Sequence, residues 1–205
     1  MLNSIGPRGW WPGRTRFEVI TGAILTQNTA WENVEQAIRN LKRAGALNPG
    51  AMAELDERKL AGLIVPSGYY RMKARRLKNF LKFLFDGYGG SLDRLFRLDA
   101  PSLRAELLSV NGIGRETADS IILYAAGKPV FVIDAYTRRI FSRHGWCGRR
   151  TDYDELQRLF MEKLPGDADL FNEYHALLVH VGKHFCRPAL PHCDGCPLVD
   201  FPLPG

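Results

Sequence analysis

The sequence predicts an all-α protein, and three observations lead to this fold class. Apolar residues recur about every three to four positions, as in Trp31, Val34, Ala37, Ile38 and Leu41, which is the period of a helix with one buried face. Polar or glycine-containing turns separate the periodic segments, and no stretch alternates polar and apolar residues convincingly as a strand would. The 205 residues, 45% of them hydrophobic, suffice for one large domain or for two lobes that share a core.

The net charge, the apolar runs and the first residues indicate which partners and which location to expect. The formal net charge of +6 favours a polyanionic partner such as nucleic acid, although charge alone does not decide this. No apolar run approaches the roughly 20 residues that a membrane span needs. The first four residues lack the basic flank and apolar core of a signal peptide. We therefore expect a cytoplasmic protein that binds no membrane.

In the N-terminal half, an aromatic loop is followed by a series of helices. The loop contains Trp10, Trp11 and Pro12, and a polar turn that starts at Gln27 ends the first long helix. The segments predicted as helices are 17–25, 31–44, 49–64, 71–82, 92–98 and 100–110. Residues 86–90 are predicted to form a flexible break. The helix over 71–82 carries six basic residues and no acid, which fits a solvated face or a surface that contacts phosphates.

A short hairpin and an acidic residue form the centre of the sequence. Gly112 and Gly114 permit a turn that a Cβ would resist, and helix resumes over 117–126. The backbone amides of 112–115 then lie at a helix N-terminus, where they can hold a phosphate. Asp134 directly follows an apolar run. An acid that follows a phosphate-binding hairpin so closely indicates chemistry on nucleic acid.

The C-terminal part is predicted to contain helices over 137–143, 155–164 and 169–185, the last with His175 on its buried face. Three of the four cysteines lie within 186–196. In a reducing compartment, such crowding favours a metal site over disulfides.

These features resemble the endonuclease III-like (HhH-GPD) DNA glycosylase superfamily. The resemblance rests on Leu107–Ala118, Gly127–Val130, Val132–Asp134 and the cysteine tail. It implies a single catalytic unit over 1–205 with a two-lobed helical fold. One lobe, 15–125, contains the helix-hairpin-helix at about 103–126, and the other combines 1–14 with 127–205, including a cysteine loop at 186–205. The resemblance leaves open whether a helix that precedes the aromatic loop in the family is missing.

The resemblance also implies roles for individual residues. Asp134 would be the catalytic carboxylate, which stabilises positive charge on the deoxyribose, and it can cap a helix as well. Glu116 stands where strand-cutting members have a Schiff-base lysine, so a glycosylase without lyase activity is expected. Tyr69 would fill the gap left by a flipped nucleotide. The other residues expected to contact DNA are Lys73, Asn111, Gly112, Gly114, Arg115 and Lys183.

The aromatic residues predict the substrate. Together with Gln27, the residues Trp10, Trp11, Pro12 and Trp31 resemble the base pocket of bacterial 3-methyladenine DNA glycosylases in the same superfamily. An N-alkylated purine is cationic and gains about 0.5 to 2 kcal/mol between electron-rich rings. We therefore expect a monomer that binds double-stranded DNA containing an alkylated purine. A glycosylase for oxidised pyrimidines or mismatched bases, and a catalytically inactive DNA-structure binder, remain alternatives.

The tail matches three of the four cysteines that hold the family's [4Fe-4S] cluster, namely Cys186, Cys193 and Cys196. Pro202 occupies the position of the fourth ligand and cannot bind a metal. His184, His192 or Asp200 could complete a three-cysteine site, which zinc would also accept. A cluster, a zinc ion and a loop without metal all remain open.

Overall fold

The computed structural model describes residues 1–9, 11 and 13–201, and within these ranges it contains helices but no strand. The prediction of an all-α chain is confirmed. The α-helices are α1 Leu2–Ile5, α2 Arg16–Leu25, α3 Trp31–Arg43, α4 Pro49–Glu54, α5 Glu57–Leu63, α6 Tyr70–Tyr88, α7 Leu92–Leu95, α8 Ala100–Ser109, α9 Arg115–Ser120, α10 Ala135–Arg143, α11 Tyr153–Lys163 and α12 Ala168–His184. A 3-10 turn at Val65–Ser67 precedes α6, and a π-helical segment, Ile121–Ala125, follows α9.

The chain divides into two compact units. The first, which we call the hairpin unit, is Pro12–Gly127, and the second, the Asp134 unit, combines Met1–Trp11 with Lys128–Gly205. Across the described residues, no helix has the length and apolarity that a membrane crossing requires.

The hairpin unit is built around α2, whose residues Phe17 to Leu25 are all buried. Thr15 starts this helix by accepting a hydrogen bond from the Glu18 amide at 3.1 Å, which satisfies one of the unpaired donors of the first turn. On α3, four of the five periodic positions are buried, namely Val34, Ala37, Ile38 and Leu41, and Trp31 is half-buried. The apolar period therefore predicted the core-facing side of α3.

Several helix boundaries differ from the prediction, and two of the differences are large. The segment 49–64 is two helices, because Asp56 accepts a hydrogen bond from the Lys59 amide at 2.8 Å and so caps a new helix. Helix α6 continues beyond residue 82 to Tyr88 and ends at Gly89, which adopts a left-handed φ of 61°. The predicted flexible break over 86–90 is thus mostly helical.

The hairpin between α8 and α9 depends on glycine at one position only. Gly112 has a φ of 98°, and a Cβ added there would lie 2.3 Å from Cγ of Arg76. Gly114 has a φ of −94°, and a Cβ there would meet no atom within 4 Å. The expectation that the turn needs glycine is confirmed at 112 and is wrong at 114, because residue 114 has ordinary extended backbone with open space beside it.

In the Asp134 unit, an aromatic cluster and a close helix pair form the core. The Phe131 ring stacks on the Phe160 ring with centroids 3.9 Å apart, and it meets the edge of the Phe171 ring at 5.4 Å. Helices α10 and α12 pack so closely that a Cβ at Gly182 would lie 2.4 Å from Cδ1 of Tyr136. This contact joins the first turn of α10 to the last turn of α12.

The hairpin geometry predicts different effects for two glycine substitutions. Gly112→Ala should lower the free energy of unfolding by about 1 to 3 kcal/mol, because alanine there is strained and overlaps Arg76. Gly114→Ala is the matched comparison and should cost less, about 0.5 to 1 kcal/mol, because a Cβ there meets no atom and only the N-cap preference for glycine over alanine is lost. Urea unfolding of both variants measures the difference. Equal effects of the two substitutions would contradict this account of the turn.

Candidate active site

Gln27 links three segments of the hairpin unit. Its Nε2 donates to the carbonyl oxygen of Gly112 at 3.1 Å and to Oγ1 of Thr117 at 2.8 Å. Its Oε1 accepts a hydrogen bond from Nη1 of Arg76 on α6. Since both amide protons and the amide oxygen are used, Gln27 holds the turn after α2 against the hairpin.

Lys73 is buried and forms hydrogen bonds inside the hairpin unit. Its side chain is fully buried, and Nζ donates to Leu25 O at 2.8 Å, Thr29 Oγ1 at 2.7 Å and Ser67 O at 2.6 Å. Burial, together with the smaller effect of the positive charge of Arg76, lowers the pKa of Lys73 to about 8. The prediction that Lys73 contacts DNA is therefore wrong, because its ammonium lies inside the hairpin unit.

The other basic residues of α6 also divide between internal and exposed positions. Lys78 donates to Met52 O at 3.1 Å and to Ala53 O at 2.8 Å, whereas Arg71, Arg75 and Lys82 are exposed. The run of six basic residues is thus not one phosphate-facing surface. The helical period could have revealed this, because Lys73 and Leu77 share the apolar face of α6.

Tyr69 lies in the turn immediately before α6. Its side chain is 66% exposed, and its backbone is left-handed with a φ of 45°. Among the described residues, Asn28 is the other non-glycine residue with positive φ, at 52°. Such backbone in a non-glycine residue is strained and often marks a functional turn.

Of the predicted pocket aromatics, Trp31 begins α3 and is half-buried, with Nε1 donating to Oε1 of Glu35 at 2.9 Å. Trp11 belongs to the Asp134 unit and is also half-buried. Trp10 and Pro12 lie outside the described residues.

The predicted DNA-contacting residues of the hairpin are accessible. Asn111, Gly114 and Arg115 are exposed, and Glu116 on the first turn of α9 is exposed as well. Gly112 is half-buried. Nδ2 of Asn79 on α6 donates to the carbonyl oxygen of Asn111 at 2.9 Å. This hydrogen bond connects the hairpin turn to α6.

Asp134 caps α10 and is almost completely buried. One carboxylate oxygen accepts a hydrogen bond from the Thr137 amide at 2.7 Å, and the other lies 3.5 Å from Nε2 of His175 on α12. Burial raises the pKa of Asp134, but the His175 imidazole and the Thr137 donors outweigh burial, so the pKa lies below its usual value. The carboxylate is therefore ionised at neutral pH.

His175 is a neighbour of Asp134 to which the sequence assigned no role. Its side chain is 4% exposed, and its ring meets the edge of the Phe131 ring at a centroid distance of 6.4 Å. The sequence shows a histidine on the buried face of a helix. Only the packing of α10 against α12 shows which group that histidine faces.

The cysteine loop is held by arginines of α10. Arg139 donates to Cys186 O at 2.7 Å and to Gly182 O at 2.9 Å, and Nη1 of Arg143 lies 3.4 Å from Sγ of Cys186. Burial raises the pKa of Cys196, and the neighbouring Cys193 and Cys186 raise it further. Lys183, predicted to contact DNA, is exposed at the end of α12.

The cysteine loop supplies three cysteines, Cys186, Cys193 and Cys196, where the family's cluster has four. Within 1–9, 11 and 13–201, no group of three or more histidine, cysteine, aspartate or glutamate side chains is arranged to hold a metal ion. Pro202, at the expected position of the fourth ligand, lies outside the described residues.

The chain is similar in sequence to known DNA repair proteins. A protein of Methanocaldococcus jannaschii, MJ1434, which bears the name of a candidate DNA repair glycosylase, is 49% identical over 99% of this chain and 92% of its own length. Endonuclease III from Thermotoga maritima is 32% identical over 88% of this chain and 79% of its own length.

A solved structure and a family model agree with these relatives. The crystal structure of the Helicobacter pylori 3-methyladenine DNA glycosylase MagIII bound to 1,N6-ethenoadenine is 32% identical. It superposes with a TM-score of 0.73 over 85% of this chain and 87% of that chain. The model described as "HhH-GPD superfamily base excision DNA repair protein" matches residues 21–166. The chain therefore belongs to the HhH-GPD superfamily of base excision DNA repair proteins.

Proposed function

We propose that this protein is a monofunctional DNA glycosylase that hydrolyses the N-glycosidic bond of alkylated purines such as 3-methyladenine. One observation carries the substrate class: half-buried Trp31 follows directly on the turn that Gln27 holds against the hairpin. The likeness to the 3-methyladenine glycosylase supports the proposal but does not decide it, since an endonuclease III has the same 32% identity.

The proposed chemistry needs one carboxylate. A cationic alkylated purine is a good leaving group, so no strong acid is required to protonate it. As the bond breaks, positive charge grows on the deoxyribose, and an ionised Asp134 would stabilise that charge and orient the attacking water. The lowered pKa of Asp134 keeps the carboxylate in the required form.

The proposed base pocket selects for charge. The residues proposed to contact the flipped base, by the family resemblance, are Trp10, Trp11, Pro12 and Trp31. A cationic purine gains more beside electron-rich rings than a neutral one does. Gln27 would act by holding the turn, because its amide group is already used by Gly112, Thr117 and Arg76.

The proposed DNA contacts involve the exposed residues of the hairpin unit together with Lys183. Gly112, Gly114 and Arg115 would bind backbone phosphates near the start of α9, and Asn111 lies beside them. Tyr69, with its 66% exposed side chain, would occupy the space of the flipped nucleotide.

Asp134→Asn tests the catalytic role without removing the cap, because asparagine also caps helices well. We expect base release from methylated duplex DNA to fall by at least about a hundredfold, and the melting temperature to fall somewhat because the charge interaction with His175 is lost. Asp134→Ala should in addition lose about 1 kcal/mol of stability. Chromatography of released bases, on a panel that includes oxidised and mismatched bases, gives the substrate class. Full activity of Asp134→Asn would refute the role, and release of only oxidised or mismatched bases would refute the substrate class.

The pH dependence of base release follows from the sign of the Asp134 shift. Because the folded-state pKa of Asp134 lies below the ordinary value of an aspartate, the carboxylate stays ionised as the pH falls from 7 to 5. The rate of enzymatic release, corrected for spontaneous loss, should therefore show no decline due to Asp134 in this range. A carboxylate titration in the rate above pH 5 would contradict the shift.

Trp31→Ala tests the selection for charge. Release of cationic 3-methyladenine should fall by about 2- to 30-fold, which corresponds to a cation-π contribution of 0.5 to 2 kcal/mol. Release of neutral 1,N6-ethenoadenine from the same DNA sequence should fall less, and Trp31→Phe should retain most of the activity on both bases. An equal loss on both lesions in Trp31→Ala would indicate packing without recognition of charge.

Glu116 predicts the absence of lyase chemistry, because a carboxylate cannot form an imine. Borohydride should trap no covalent complex between the wild-type protein and DNA containing an abasic site. Glu116→Lys supplies an exposed amine at this position and is the control that should become trappable. Trapping of the wild-type protein would show that another amine acts as a nucleophile.

A further inference from the structure

Lys73 is a buried cation that the proposed chemistry does not use. An ammonium group has three N–H donors and no acceptor. Its bonds to Leu25 O, Thr29 Oγ1 and Ser67 O, all between 2.6 and 2.8 Å, therefore use its full hydrogen-bonding capacity. A fully buried lysine is expensive to desolvate. We therefore expect this side chain to have a structural or functional role.

The three acceptors belong to the end of α2 and to two strained turns. Leu25 is the last residue of α2, Thr29 closes the turn that contains left-handed Asn28, and Ser67 lies two residues before left-handed Tyr69. A non-glycine residue with such backbone costs about 1 to 3 kcal/mol and persists only where its surroundings enforce it. The Tyr69 side chain, 66% exposed, contributes little packing of its own.

Thr29 joins the two turns directly. Its Oγ1 donates to Ser67 O at 2.5 Å and accepts from Lys73 Nζ at 2.7 Å. Ser67 O thus receives hydrogen bonds from both side chains. Removal of the ammonium would take the Lys73 donor from Leu25 O and leave Ser67 O with the Thr29 hydroxyl alone, at the point where the two turns meet.

We propose that Lys73 is a positioning residue, which fixes the turns at 26–29 and 65–69 in the single arrangement that presents Tyr69 to the gap left by a flipped nucleotide. This inference rests on the proposed function, because it assumes that Tyr69 fills that gap. Lys73 acts through Tyr69 and touches no substrate.

The protonation state of Lys73 gives an independent measurement. Its pKa is lowered by burial to about 8, and the neutral amine keeps only two N–H donors for three acceptors. From α6 itself, the charged group that acts on it is Arg76. From α2 and the two turns, the facing groups are Leu25 O, the Thr29 hydroxyl and Ser67 O, which do not titrate in this range. Selective binding should therefore weaken as the pH rises through about 8.

The test uses the full chain and two duplexes of one sequence, one undamaged and one with a tetrahydrofuran abasic analogue. Fluorescence anisotropy gives the ratio of the two affinities. Lys73→Met should lower this ratio by about tenfold, the size expected when a buried acceptor loses its donor. Lys78→Met is the matched control, because Lys78 lies on the same helix and also donates to backbone carbonyls, Met52 O and Ala53 O. It should leave the ratio unchanged.

Two milder substitutions, both at Thr29, test the same inference if Lys73→Met does not fold. Thr29→Ser keeps the bridging hydroxyl and should keep the ratio and its pH dependence, whereas Thr29→Val removes the hydroxyl and should lower the ratio. Equal ratios for Lys73→Met and Lys78→Met, or for Thr29→Val and Thr29→Ser, would overturn the inference.

Tyr69→Ala separates the two hypotheses. If it loses the preference for the abasic duplex while Lys73→Met keeps it, Tyr69 fills the gap and the role of Lys73 is refuted. If Tyr69→Ala keeps the preference, the gap-filling role fails and the inference about Lys73 fails with it. Base release is scored separately, so the absence of alkylpurine release would count against the proposed reaction without changing the binding ratio.

Discussion

Backbone carbonyl groups at the end of α2, in the turn before α6 and in the hairpin accept hydrogen bonds from side chains. Helix α6 supplies the donors from one face. Lys73 serves Leu25 O and Ser67 O, Arg76 holds the Gln27 side chain that serves Gly112 O, and Asn79 serves Asn111 O. An unpaired buried carbonyl costs about 1 to 3 kcal/mol, so the loss of the Lys73 donor would loosen the turns at 26–29 and 65–69. The proposed DNA-contacting segments therefore share a single support.

This arrangement explains why a helix so rich in lysine and arginine is not simply a phosphate-binding surface. A long cationic side chain can reach several carbonyl groups of different segments, and no neutral side chain offers three donors at one atom. Of the basic residues that remain exposed, Arg75 forms an ion pair with Glu57 and Lys82 forms one with Asp86, whereas the Arg71 guanidinium lies over the Tyr70 ring. The same composition thus serves both internal support and surface charge.

In the Asp134 unit, one carboxylate combines two tasks. Asp134 starts α10 by accepting the Thr137 amide, and the same contacts, with His175, keep it ionised despite its burial. A helix cap fixes the orientation of a carboxylate more firmly than a surface position would. The structural role of Asp134 and the proposed catalytic role are therefore compatible, since a stabilising charge must be held in place before the reaction begins.

The sequence by itself determined the helical class, the core-facing positions of α3, the hairpin turn and the cap at Asp134. These features depend on local periodicity and on contacts within a few residues, which a sequence displays directly. Only the tertiary structure decided that Lys73 is buried, that Gln27 bonds to the hairpin, that His175 faces Asp134 and that Gly114 has room for a side chain. Each of these depends on segments separated by many residues in the chain, and residue type alone does not tell a lysine that contacts DNA from one that holds two turns together.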